Sequence, residues 1–463
     1  MGIISWLGPF VIILGTMIVL HEFGHFIVAK LFGIRVETFS VGFGKRLWGV
    51  RKGDTDYRIS LIPLGGYVKM AGENLDEQIT GAPDEFMSKP KWQRFCVAVA
   101  GPVMNIITAL VIMAVIAMVH YDVPSYMDNP AYVAGVVAGS SAERAGIKAG
   151  DTIVKIENQD NPTYGDVFYR VMLNPDMALP ITIRRGDELQ QLELKPAAEN
   201  LADDSVGNAG LKPALGPDTK LYVQKVDPGS AAERAGLRNG DQIIAINGTP
   251  LEQDDSGREA LIKAIGASGG NPVVLTVTRS GQTLDLTGRP ELKDDGKYRL
   301  GFTNDIGEPR KLSLIPALKY SYQYNLRMLW LTKVALTQVV MRKRSASDTV
   351  AGPVRILKIS HDAAKQGPGS LFELMSLLSL NLGIFNLLPI PVLDGGLIFM
   401  LFLETVLGLV GLPLTRAVKE RMMQVGFVLL MVLVVFVFIN DIRKIMPSRT
   451  GPPQVEQPAQ PGK

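Results

Sequence analysis

The feature that most restricts this chain is His21-Glu22-Phe23-Gly24-His25, set inside a long apolar run. Residues 2–20 before it carry no charge, and residues 26–29 after it are apolar again. On a helix, positions i and i+4 share one face, so the two imidazoles can converge on one cation. Glu22, next to the first of them, can reach a water held by that cation as general base. A soluble helix carrying such a motif is amphipathic, whereas this one is apolar nearly all round. Ionisable side chains in a membrane span are costly and are usually there for function. The chain has 4 histidines in all, His21, His25, His120 and His361, which makes a chance pairing at this spacing improbable.

A bilayer-crossing helix needs about 20 predominantly apolar residues. Residues 95–119, 374–393 and 422–440 are uncharged, and the run at 374–393 continues, apart from Asp394, to Leu403. Four spans are therefore expected. The first lacks the basic start and small-residue cleavage site of a removable leader. Lysines and arginines gather between spans one and two (Arg35, Lys45, Arg46, Arg51, Lys52, Arg58, Lys69, Lys89, Lys91) and between spans three and four (Arg416, Lys419, Arg421). That bias places both segments on the cytoplasmic side, and the polar middle and both termini on the other. Arg443 and Lys444 oppose this orientation but are outnumbered. The net charge of +3 gives no reason to expect a nucleic-acid partner. With Cys96 alone, no intrachain disulfide and no cysteine-based zinc cluster can form.

The polar middle is a duplication. GSSAERAGIKAGDTIVKI at 139–156 recurs as GSAAERAGLRNGDQIIAI at 229–246. Each copy reads as a strand, a short helix ended by a glycine, and a Gly-Asp turn into another strand. The copies, over about 129–196 and 220–290, resemble circularly permuted PDZ domains, which take an extended peptide beside a groove.

A catalytic zinc takes three protein ligands and keeps one position open. His120 and His361 fall in polar segments near span ends, and Cys96 reads as an apolar filler. Asp394 is the best third candidate, being the only ionisable residue between Glu373 and Glu404. It ends Asn386-Leu-Leu-Pro-Ile-Pro-Val-Leu-Asp394-Gly-Gly, where two prolines and two glycines break the helix. Such a break at membrane depth is tolerated only against protein or a water-filled cavity.

HEFGH in span one together with NLLPIPVLDGG in span three resembles the site-2 proteases, zinc intramembrane proteases, in the branch with two PDZ copies between spans two and three. The resemblance covers nearly the whole chain. It implies Zn2+ held by His21, His25 and Asp394, with Glu22 as catalytic base and acid. It implies substrate contacts at Asn386, Pro389 and Pro391, and at Asn105 in the Gly-Pro-x-x-Asn segment of span two. Gly42-Phe-Gly44 and residues 58–70 match a membrane-dipping β-hairpin of that family. Arg58, Ile59, Ser60 and Leu61 alternate polar and apolar there, and Pro63 suits an edge strand. That edge is expected to pair with a substrate helix opened into extended form.

The fold expected is thus a polytopic α-helical membrane protein with four spans, a membrane-dipping β-hairpin and two tandem PDZ-like α+β domains. The expected divisions are span one at 1–32, a cytoplasmic segment with the hairpin at 33–94, and span two at 95–119. The PDZ-like domains follow at 129–219 and 220–306, then an amphipathic helical segment at 312–370. Span three at 371–410, span four at 422–441 and a disordered tail at 447–463 complete the chain. By resemblance the substrates are single-span membrane proteins, an anti-sigma factor already cut on its periplasmic side or a remnant signal peptide, in envelope stress signalling. The protein is expected to be a monomer of the bacterial inner membrane in contact with lipid, with the PDZ copies periplasmic and excluding bulky substrates. Two other readings are a metal transporter and a PDZ-bearing scaffold with a silent site. A transporter needs ionisable residues along a path, whereas here they cluster at one depth; a silent site need not keep Glu22.

Overall fold

The computed structural model describes residues 3–73, 80–119, 125–201, 204–215, 220–293, 296–307, 311–342, 345, 351–409, 412 and 415–445. His120 and the tail at 447–463 lie outside the described residues. The chain forms two compact units, Met1–Met113 with Tyr324–Lys463, and Ala114–Gln323.

The first unit is helical around a small sheet. Its helices are α1 (Ile3–Leu31) and α2 (Lys91–Val119). Among the described residues 4 helices are long and apolar enough to cross a membrane, the other two being Pro368–Asn386 and Arg416–Ile445. The third expected span is divided. Its helix stops at Asn386, a turn containing Pro389 and Pro391 follows, and a separate helix begins at Asp394 and runs to Leu409. Proline cannot donate to the helical ladder and crowds the carbonyl four residues earlier, so the chain leaves the helix there. Val392 in that turn has φ 89°, a conformation that β-branched residues avoid at a cost of about 1–3 kcal/mol. The last helix braces the turn from outside: a Cβ on Gly426 would lie 2.3 Å from Cβ of Pro391.

Between α1 and α2 lie β1 (Val36–Lys52) and β2 (Thr55–Met70), joined by a tight turn at Gly53. The two long strands fold over one another. Thr38, Phe39, Ser40 and Val41 pair with Lys69, Val68, Tyr67 and Gly66 on one flank, and with Asp56, Tyr57, Arg58 and Ile59 on the other. Residues 56–60 also pair with 46–51. Arg58, Ile59 and Ser60 are therefore interior, which corrects the expected edge at 58–61; the free edges belong to 46–51 and 66–70. The cause is that residues 36–41 insert between the two halves of β2, a register that local alternation does not reveal. Leu47, Trp48, Val50, Leu61 and Ile62 project from this sheet into the surroundings.

The second unit carries the duplication. In the first copy β3 (Val133–Val136) leads through α3 (Ser141–Arg144) to a four-stranded sheet. That sheet has the order β5 (Gln159–Asp160), β4 (Thr152–Ile156), β6 (Leu179–Arg185), β7 (Glu188–Leu194), with α4 (Tyr164–Leu173) across it. A hairpin of β8 (Ala197–Leu201) and β9 (Asp204–Asn208) follows, and β10 (Leu211–Pro213) pairs with β3. The second copy repeats the plan with β11 (Lys220–Val226), α5 (Ala231–Arg234), β12 (Gln242–Ile246), α6 (Asp255–Ala267), and a hairpin of Val273–Arg279 with Gln282–Gly288.

The repeated motif is a self-contained turn. Ser140 and Ser230 accept from the backbone N–H of Glu143 and Glu233, and those glutamates accept in return from Gly139 and Gly229 N–H. Ala142, Ile147, Ile153 and Ile156 fill one core, and their counterparts Ala232, Leu237, Ile243 and Ile246 fill the other. The Gly-Asp turn has a further use. Buried Asp151 is bridged by Nε and Nη2 of Arg185 at 2.8 Å, and Asp241 likewise by Arg279 at 2.7 Å.

From Tyr324 onward α7 (Leu314–Val340) belongs to the first unit, where Thr332 Oγ1 donates to Asn381 Oδ1 of the Pro368–Asn386 helix at 3.1 Å. We number the helices that follow α8 (Pro353–Gln366), α9 (Pro368–Asn386), α10 (Asp394–Leu409) and α11 (Arg416–Ile445). His361 on α8 is buried and stacks on Trp6 of α1, ring centroids 3.9 Å apart.

Candidate active site

One turn of α1 puts His21 and His25 on the same face, and the break before α10 delivers Asp394 to it. Nε2 of His21 lies 3.1 Å from Oδ2 of Asp394, and Nε2 of His25 lies 3.3 Å from Oδ1. The two Nε2 atoms are 3.2 Å apart. One atom from each of the three side chains falls within 4.8 Å of the others. The remaining nitrogen of His25, Nδ1, is 2.7 Å from the Val97 carbonyl, which orients the ring with Nε2 inward.

Space around the cluster is shaped by glycines. A Cβ on Gly24 would lie 2.3 Å from the Ala100 carbonyl oxygen, so the motif's fourth position lets α2 press against α1. A Cβ on Gly101 would lie 2.3 Å from Nε2 of His25 and 2.8 Å from Cε1 of His21. The donor set of two imidazole nitrogens and one carboxylate suits Zn2+, and the convergence of three buried or half-buried donors, with no lysine or arginine among the described residues paired to Asp394, fits a cation there.

A cavity of about 380 Å³ opens onto the cluster. Glu22, Asn386 and Val392 line it, with Tyr67, Val68 and Met70 from the free edge of β2. The backbone N–H of Val68 donates to Oε2 of Glu22 at 3.1 Å, so the sheet edge aims the carboxylate. Asn386 places Nδ2 3.4 Å from Nε2 of His21.

The sequence-derived candidates divide accordingly. His21, Glu22, His25, Asp394 and Asn386 come together. Pro389 and Pro391 shape the turn and do not line the cavity. Asn105 is fully buried and does not line the cavity. Arg58, Ile59, Ser60 and Leu61 are absent from the wall as well; Arg58 instead bonds the Tyr67 hydroxyl. Sequence reasoning missed Val68 as partner of Glu22. The only signal was that Gly65-Gly66-Tyr67-Val68 allows close approach, and nothing local marked that stretch as an edge.

The model of peptidase family M50 matches residues 9–433. The regulator of sigma-E protease RseP of Escherichia coli K12 is 32% identical, the alignment covering 95% of this chain and 98% of that protein. A putative zinc metalloprotease of Vibrio cholerae is 30% identical over 94% of this chain and 98% of the relative. Among solved structures, the PDZ domain of the SdrC-like protein of Listeria monocytogenes is 19% identical, covers 20% of this chain and 92% of that domain, and has a TM-score of 0.17. With the family match spanning most of the sequence, this chain belongs to peptidase family M50.

Proposed function

We propose that the chain hydrolyses single-span membrane proteins within the bilayer, as one step of a sigma-E-type stress response in the bacterial inner membrane. As an M50 member it is a zinc metalloendopeptidase of the site-2 kind. The observation that carries the reading is the meeting of His21, His25 and Asp394, far apart in sequence, beside an aimed Glu22.

His21, His25 and Asp394 hold the zinc. Bound there, it polarises the scissile carbonyl and acidifies water. Glu22 takes the proton from the attacking water and delivers it to the leaving amine. A helical substrate hides its carbonyls in hydrogen bonds and must first become extended. The edge at 66–70, not 58–61, is the strand that receives it. Asn386 lies beside the reacting carbonyl. The apolar side chains of the hairpin enter the lipid. The basic segments mark the cytoplasmic side, so the middle unit and both termini are periplasmic. Its two copies, 129–219 and 220–306, are tandem PDZ-like domains that exclude substrates with bulky periplasmic parts. The enzyme works as a monomer.

The test is zinc analysis of the purified full chain with a cleavage assay in detergent on a single-span substrate. Stoichiometric zinc and chelator-sensitive cleavage are expected. Zinc-free protein that still cuts would sink the reading.

A further inference from the structure

Asn105 carries an unmet requirement. It is fully buried, and its Oδ1 has no hydrogen-bond partner among the described residues. Its Nδ2 lies 3.1 Å from Nδ1 of His21. Its position is held by the neighbouring helix, since Oγ of Ser379 donates to the Asn105 carbonyl at 2.9 Å.

The contact suits one tautomer of His21. With Nδ1 bare, it accepts from Nδ2, and the proton sits on Nε2, where it is donated to Asp394 at 3.1 Å. A cation ligand needs the opposite tautomer, with the Nε2 lone pair free and the proton on Nδ1. That proton would face the two N–H groups of Nδ2, and a donor facing a donor is unfavourable. The two ends of a carboxamide differ only in hydrogen-bonding sense, and a half-turn about Cβ–Cγ exchanges them. The half-turn gives the orphaned Oδ1 the donor it lacks.

We propose that Asn105 is a positioning residue for the metal: its amide reverses as zinc binds, and Oδ1 then accepts from Nδ1–H of His21 and holds Nε2 toward the ion. An amide fits both states, because it presents a donor to the metal-free ring and an acceptor to the ligating one. A leucine can fill neither role. The proposal rests on the zinc reading given above.

The test uses the full chain in detergent and zinc alone, competed against a chelator. Asn105→Leu, which removes donor and acceptor, should weaken zinc affinity about 10- to 100-fold. Asn105→Asp, which keeps the acceptor, should retain affinity near the wild-type value. If Asn105→Leu binds zinc as tightly as the wild type, or if Asn105→Asp is weakened equally, the proposal fails. A readout that needs no variant is the ¹⁵N spectrum of histidine-labelled protein with zinc removed and restored. The protonated nitrogen of His21 should pass from Nε2 to Nδ1; Nδ1 protonated in both states would overturn the reversal. Wild-type protein that binds no zinc would overturn the metal reading as well, whereas zinc-loaded wild type with an indifferent Asn105→Leu rejects the role of Asn105 alone.

Discussion

Gly352 and Asp441 touch so closely that a Cβ at position 352 would lie 2.3 Å from Oδ2 of the aspartate. The carboxylate, buried near the end of α11, accepts from the N–H groups of Gly352, Val354 and Arg355 at 3.1, 3.0 and 3.1 Å. It thus satisfies the open donors at the start of α8, a service that residues within α8 do not supply. Asp441→Ala should lower stability by about 2–4 kcal/mol, a lost cap plus buried unpaired donors. Gly352→Ala should act in the same direction through overlap. Thermal unfolding in detergent reads both, and midpoints equal to wild type would show that the contact contributes nothing.

Glu22→Gln should keep zinc and lose cleavage by about 10²- to 10⁴-fold, since the ligands remain and only the proton carrier goes. Metal content and turnover are measured on the same preparation. Wild-type turnover would remove Glu22 from the chemistry.

Asp394→Asn should weaken zinc binding and cleavage together. A neutral amide is a poor ligand, and the charge that balances the site is gone. Stoichiometric zinc with full activity would move the third ligand elsewhere.

Acid should loosen the first copy of the duplication through Asp151. Burial alone would raise its pKa, but the hydrogen bonds from Arg185 and the Lys148 N–H outweigh it and hold the carboxyl below the usual carboxylate range. A depressed folded pKa contributes stability that is present above the unfolded value of about 3.9 and is lost as pH falls through the folded value. Arg185→Gln removes the depression, so the variant lacks this contribution already at neutral pH and has less stability in hand as other groups titrate. Pepsin cleavage within 129–219 as pH is lowered should start earlier for this variant. Coincident onsets would count against the pairing.

Deleting 129–290 behind a short linker should leave a core that cuts and that also accepts substrates with intact periplasmic domains, because no cavity-lining residue at the metal cluster comes from that segment. A core that binds zinc yet cuts nothing would assign the segment more than exclusion.

What could be read in the sequence follows from how local each signal is. His21 and His25 are one turn apart, and the break before Asp394 is written in prolines and glycines within a few residues. The motif starting at Gly139 closes on itself, so its repeat was visible as a string. The hairpin was legible as alternation, but its doubling was not: whether Ser60 faces a neighbour depends on residues 36–41 entering between distant halves of β2. Asp441, and the contact of Asn105 with His21, escaped for the same reason. Neither polar residue points to its partner until the neighbouring helix is in place.

The bond between Val68 and Glu22 has a consequence for registration. Val68 pairs with Phe39 on its inner flank, so the N–H that reaches Glu22 points out of the free edge. A chain laid along 66–70 therefore finds one rung of its ladder already taken. The carbonyl opposite Val68 would then be left without its main-chain donor. A substrate strand held on either side of that gap, as proposed above, would present a single unpaired peptide group there. On the reading proposed above, that empty rung would act as an index mark, setting which bond along an otherwise uniform strand is offered for cutting.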